Sequence, residues 1–155
     1  MGHGLSIATG MALAAKYDGL KQRIFVVLSD GECNEGAIWE AAMFASRYHL
    51  DNLIVIVDYN KLQAFGRTNE ILHLEPFKDK WEAFGWACRE TNGHDFEKMG
   101  EVLEPIPFQR SKPSVVIAHT IKGKSVSFME NKIKWHYCVP DSEQLQIALT
   151  ELDGR

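Results

Sequence analysis

The sequence predicts an α/β domain built on an open, mainly parallel sheet with helices on both faces. Three observations carry that expectation. Two continuous apolar runs, Ile24–Leu28 and Leu53–Val57, are β-branched and aliphatic and bounded by polar residues, the pattern of strands covered on both sides. Between them, Glu35–Tyr48 is too long for one strand and rich in helix formers. Strand, helix, strand is a βαβ unit with a right-handed crossover, and the alternation continues downstream.

Each element has its own signal. Leu5–Tyr17 is an Ala-rich helix preceded by the Gly-rich turn Gly2-His3-Gly4. After the βαβ unit, Phe77–Phe84 reads as a helix and Trp86–Thr91 as a short strand. Asp95 is placed to cap a helix reaching about Glu104, and Ser114–His119 is another apolar strand. Asp141 with Gln144 resembles a capping box opening a last helix through Leu145, Leu149 and Leu152. Trp39, Phe44, Trp81 and Trp86 are read as core. No repeat, low-complexity tract or linker divides the chain, so residues 1–155 are read as a single domain. Four strands are few for this architecture and nothing regular precedes the Gly2-His3-Gly4 turn, so the domain reads as incomplete at its N-terminus.

Composition excludes several classes. The 155 residues are 45% apolar and 25% charged, an ordinary globular mix rather than a disordered chain. Seventeen Lys and Arg against 21 Asp and Glu give a net charge of −4, and there is no basic run, so no nucleic-acid partner is expected. The longest apolar stretches have five residues, where a membrane helix needs about 20. With no signal peptide at the N-terminus, the expected location is cytoplasmic. Cys33, Cys88 and Cys138 are far apart and form no C-x-x-C pair; they are read as reduced thiols.

In open parallel sheets ligands sit beyond the carboxyl ends of the strands. The residues there are Ser29-Asp30-Gly31-Glu32-Cys33-Asn34-Glu35-Gly36 and Asp58-Tyr59-Asn60-Lys61-Leu62. If the two strands are neighbours, about 4.8 Å apart, Asp30 and Asn60 reach one point above the sheet edge. A carboxylate, an amide oxygen and a backbone carbonyl form a hard-oxygen set suited to Mg²⁺ or Ca²⁺, with phosphate oxygens and water filling an octahedron around Mg²⁺. Gly31 admits close approach, and a helix beginning near Glu35 would aim its amides at the same place. Spacing alone leaves open that Asp30 and Asn60 are turn formers after strands, as Asp-Gly often is.

Asp30-Gly31 followed 28 residues later by Tyr59-Asn60 resembles the thiamine-diphosphate motif, Gly-Asp-Gly and then a pair of asparagines. The segments Asn34-Glu35-Gly36-Ala37-Ile38-Trp39-Glu40-Ala41, Asp58–Gln63 and Trp81–Trp86 are similar to the transketolase version, and to the N-terminal subunit of split transketolases in particular. The resemblance implies thiamine diphosphate and Mg²⁺ as cofactors. It implies Asp30, Asn60 and the Leu62 carbonyl as metal ligands, and Gly31, Glu32 and Asn60 around the diphosphate. It implies that Gly2 and Gly4 pass close to the cofactor, that Glu35 lies near the subunit interface and the catalytic glutamate of another domain, and that His136 lies near the phosphate and the substrate. Ser29, Asp58, Phe65 and Tyr137 depart from the family pattern, Tyr137 replacing a glycine after His136.

The resemblance further implies transfer of a two-carbon ketol unit between sugar phosphates. It also implies a partner subunit carrying the pyrimidine domain, without which the chain is inactive, and self-association. The alternatives are a truncated, non-catalytic interaction subunit, another thiamine-diphosphate enzyme, or a P-loop nucleotidase. The last is suggested by Ala118–Ser125, which ends in Gly-Lys-Ser but lacks the first glycine of a Walker A loop.

Overall fold

In the computed structural model, which describes residues 1–154, four parallel strands form the central sheet in the order β1-β2-β6-β5. They are β1 (Ile24–Ser29), β2 (Leu53–Tyr59), β5 (Ala87–Asn92) and β6 (Ser114–His119). A two-stranded ribbon, β3 (Leu62–Gln63) with β4 (Gly66–Arg67), hangs from the end of β2. The helices are α1 (Gly4–Tyr17), α2 (Gly36–Arg47), α3 (Thr68–Ile71), α4 (Phe77–Ala83), α5 (Phe96–Leu103) and α6 (Ser142–Asp153).

The two predicted central strands are neighbours, paired from Ile24 with Leu53 to Ser29 with Asp58. Each runs further than the apolar pattern suggested, because the hydrogen-bond ladder continues into polar residues. Asp30 and Asn60 therefore each follow their strand directly. β2 next pairs with β6, from Ile54 with Ser114 to Tyr59 with His119.

Strand order fixes which face each helix covers. Crossovers through α2 and α4 step one way across the sheet, while α5 links β5 back to β6 in the opposite sense, so right-handedness places α5 on the other face. On the first face Val55, Val57, Val115 and Ile117 meet Leu5, Ala8 and Ala12 of α1, Ile38, Ala42 and Ala45 of α2, and Phe77 and Trp81 of α4. Small alanines let α1 and α2 come close to each other and to the sheet. Trp86 is buried in the same cluster, its Nε1 donating to Ala42 O at 3.0 Å.

Phe44 departs from expectation. The buried stripe of α2 is Ile38, Ala41, Ala42 and Ala45, the i, i+3, i+4, i+7 positions of one helix face. Phe44 falls off that stripe and lies exposed against the Tyr48 ring. Both predicted caps form: Asp95 accepts from Lys98 N, and Asp141 with Gln144 makes a reciprocal capping box. The segment after Ser125 forms turns rather than a helix, so the strand–loop–helix unit of a P-loop is absent among the described residues.

Candidate functional site

Three loops meet at the carboxyl edge of the sheet because β1, β2 and β6 are adjacent. The loop after β1 opens with Asp30 and turns immediately into a short 3-10 helix, Gly31–Asn34. Ser29 Oγ accepts from Glu32 N, and Asp30 Oδ1 accepts from Gly31 N at 2.6 Å. Gly31 is required by close approach rather than by torsion: a Cβ there would stand 2.9 Å from the Cβ of Gln63.

The loop after β2 is bent by Lys61, which holds a positive φ of 65°, uncommon for a residue with a side chain. The bend turns the Lys61 amide onto Asp30 Oδ2 at 2.5 Å, so the Asp30 carboxylate lies against the Asn60–Lys61 peptide. Asn60 is held at both ends of its amide: Nδ2 donates to Asp58 Oδ2 at 3.2 Å, and Oδ1 accepts from Leu62 N at 2.9 Å. The loop after β6 contributes Thr120, whose hydroxyl donates to Asp58 Oδ1.

Asp30 is almost fully buried, at 1% exposure. Burial pushes its carboxyl up to about 6, against the pull of the Lys61 and Gly31 amides; the charge of Asp58 adds to the rise and that of Lys122 opposes it. A buried carboxylate with no side-chain cation bonded to it is a costly group, and each of its oxygens keeps a lone pair beyond the one amide it accepts. A divalent cation bound there would compensate the charge.

Among the described residues no three His, Cys, Asp or Glu side chains converge on a metal position. A cation at this edge could draw on the Asp30 carboxylate and the Asn60 amide oxygen. That is an all-oxygen set fitting Mg²⁺, which shares its shell with phosphate and water.

The structure brings most of the other sequence-derived positions to this edge. Gly2 donates its amide to Glu32 Oε1 at 2.7 Å, and a Cβ on Gly2, at φ 83°, would press on Glu35 at 3.1 Å. Glu32 thus ties the N-terminal turn to the 3-10 helix. Glu35 is exposed and caps α2 from an extended backbone without a side-chain bond. The amides at Asp30 consequently come from Gly31 and Lys61, not from the α2 terminus. Gly4 begins α1 next to the Val26 side chain.

His136 closes an exposed 3-10 turn, Ile133–His136, that lies beside β3, with its ring against Tyr137. Cys33 is fully buried, burial holds its thiol well above the usual range, and its Sγ meets Ser29 O; it is a packing residue.

Sequence reasoning passed over Asp58, Thr120, Lys122 and Gln63. Asp58 entered chiefly as a departure from a motif, and Lys122 only within the Ala118–Ser125 segment. A polar pair at the end of β6, the strand that neighbours β2, was the available signal, and it needed the strand order to be read.

The comparisons with known proteins agree with the fold. The sequence profile described as "Transketolase, thiamine diphosphate binding domain" matches residues 1–151, and the chain belongs to that family. Among its relatives are an apulose-4-phosphate transketolase subunit of Phocaeicola vulgatus, 46% identical over 155 residues, and the 6-deoxy-6-sulfo-D-fructose transketolase subunit SqwG of a Clostridium species, 44% identical over 153. The chain is covered at 100% and 99% in these two, but spans 55% and 56% of the relatives' own length. The crystal structure of transketolase from Campylobacter jejuni superposes with a TM-score of 0.91 at 30% identity, over 97% of this chain and 25% of that one. Both of the relatives above are named as a subunit of a transketolase.

Proposed function

We propose that this chain is the thiamine-diphosphate- and Mg²⁺-binding part of a two-subunit transketolase that moves a two-carbon ketol unit between sugars. The observation that carries the reading is the buried Asp30 carboxylate, bonded by the Gly31 and Lys61 amides beside an Asn60 amide that Asp58 orients. When bound, thiamine diphosphate supplies the carbanion chemistry that breaks and makes the carbon–carbon bond. The chain's own residues anchor and orient it.

Asp30, the Asn60 amide oxygen and the Leu62 carbonyl would hold Mg²⁺, and through it the diphosphate. Gly31, whose missing side chain lets Gln63 pack over the Asp30 loop, would meet the diphosphate through its backbone, and the Gly2–Glu32 bond fixes the N-terminal turn at the same edge. Glu35, exposed beside Gly2, faces outward toward the partner subunit. His136 lies on the turn beside β3, from which it would reach the substrate's polar end.

The relatives' names describe a sugar phosphate and a sulfonated sugar, and we place the substrate in that class of sugars with an anionic tail. Phe25 and Val27 on the edge strand β1 are 47% and 67% exposed, and Leu145, Ile147, Leu149 and Leu152 of α6 are each more than two-fifths exposed. Apolar groups so arranged support association with a further subunit or a second copy.

Reconstitution tests the reading. Ketol transfer should appear only when the purified chain, with thiamine diphosphate and Mg²⁺, is mixed with the pyrimidine-domain subunit. Activity from the chain alone, with host transketolase excluded, or none from the mixture, contradicts it.

A further inference from the structure

Gln63, the second residue of β3, sits directly over Gly31, its Cβ 2.9 Å and its Oε1 3.5 Å from where a Gly31 Cβ would be. The Nε2 of the same side chain is buried and has no acceptor among the described residues. A donor buried without an acceptor is destabilising, and native proteins hold few of them. Four buried side-chain polar atoms lack a partner among the described residues, and two of these are donors: Gln63 Nε2 and Trp81 Nε1. Trp81 belongs to the hydrophobic core, whereas Gln63 borders the loop that carries Asp30.

The chemistry of the orphan atom narrows its partner. An amide nitrogen donates and cannot ligate a cation, so Gln63 does not complete the metal shell through this atom. Asp30, whose loop Gln63 borders, accepts the Gly31 and Lys61 amides and not this nitrogen. Gly31, the residue Gln63 covers, follows Asp30 directly and gives its amide to that carboxylate, so Gln63 stands beside the group that would hold the metal. We propose that Gln63 is a further cofactor-binding residue, its Nε2 donating to an oxygen of the diphosphate. The inference rests on the reading of the Asp30–Asn60 edge as the metal and diphosphate site. A neutral donor here fixes the diphosphate's orientation without adding charge next to the metal.

Calorimetry with thiamine diphosphate at saturating Mg²⁺, on wild type, Gln63→Met, Gln63→Glu and Asp30→Ala, tests it. Loss of one hydrogen bond to a charged group predicts about tenfold weaker binding for Gln63→Met. Gln63→Glu, which sets a carboxylate against the diphosphate, should bind more weakly still. The cofactor-free melting temperature of Gln63→Met should match or exceed wild type, because the folded protein loses no bond. Equal affinity in Gln63→Met overturns the inference. So does tighter Mg²⁺ binding in Gln63→Glu, which would make the side chain a metal ligand through oxygen. A lowered cofactor-free melting temperature with an unchanged cofactor-induced shift would assign Gln63 a purely structural role and overturn it as well. A wild type that binds no cofactor with Mg²⁺ overturns the site reading and this inference together. Binding lost in Asp30→Ala but kept in Gln63→Met overturns this inference alone.

Discussion

Asp30 and Asp58 stand at the ends of adjacent parallel strands, Ser29 pairing with Asp58, yet their carboxylates are held differently. Asp30 is buried and accepts two main-chain amides, from Gly31 and Lys61. Asp58 is half-buried and accepts two side-chain donors, from Asn60 and Thr120. Main-chain donors are positioned by the loops themselves, so Asp30 is an anion fixed in place by the fold. Side-chain donors are positioned by the carboxylate, so Asp58 is the group that aims others. In the proposed site one aspartate would bind the metal, and the other orients the amide that would bind with it.

The largest expected effect follows from removing the first. Asp30→Ala deletes the one carboxylate of the proposed metal shell. It should weaken thiamine-diphosphate binding by more than about a hundredfold, beyond the ~10–100-fold typical of losing an outer partner of a metal ligand. Calorimetry of the variant at millimolar Mg²⁺ reads this directly, and wild-type affinity there would break the distinction between the two aspartates.

The second aspartate should give an intermediate loss. Asp58→Asn turns one acceptor into a donor that faces Asn60 Nδ2 or the Thr120 hydroxyl, so Asn60 loses its orientation. Cofactor affinity should fall by about 10- to 100-fold, and stability to urea by about 1–2 kcal/mol. Equal losses in the Asp30 and Asp58 variants would show that the two carboxylates share one role.

A third carboxylate, remote from the site, sharpens the contrast. Asp51 accepts from the Lys16 ammonium at 2.7 Å and from Ser111 N at 3.1 Å. Its partial burial pushes the carboxyl up, but these bonds and the Lys16 charge outweigh that and hold it below its ordinary value. Its contribution is therefore present above the unfolded pKa near 3.9 and lost as pH falls through the lower folded value. Asp51→Asn should lower stability at pH 7 by less than about 1 kcal/mol, as exposed ion pairs do, and leave cofactor affinity unchanged. Urea unfolding should show the variant and wild type converging as pH falls through the lowered folded value; a constant gap would detach the effect from ionisation.

Much of this was legible in the sequence because the signals are local. Continuous β-branched runs marked β1, β2 and β6, although only β2 and β6 are covered on both faces; β1 lies at the sheet edge, with Phe25 and Val27 exposed where burial was expected. Asp95 and Asp141 announced helix starts through bonds only three residues long. Asp30 and Asn60 were legible as candidates because ligands gather beyond strand ends, and the motif around them pointed to the family.

What stayed hidden depends on pairing at a distance. Thr120 bonds Asp58 across 62 residues, and only the strand order β1-β2-β6-β5 brings them together. The bend at Lys61 leaves no trace in composition, because its left-handed backbone is imposed by the contacts around it. Phe44 was misplaced because an Ala-rich helix gives a weak apolar stripe, and the neighbouring helices decide which face is buried.

The central claim is that this edge holds a diphosphate through a metal. It is tested most directly by titrating the wild-type chain with thiamine diphosphate twice, once with Mg²⁺ and once with all divalent ions removed by a chelator. The account predicts saturable binding with Mg²⁺ and none measurable without it; the same affinity in both titrations would contradict it.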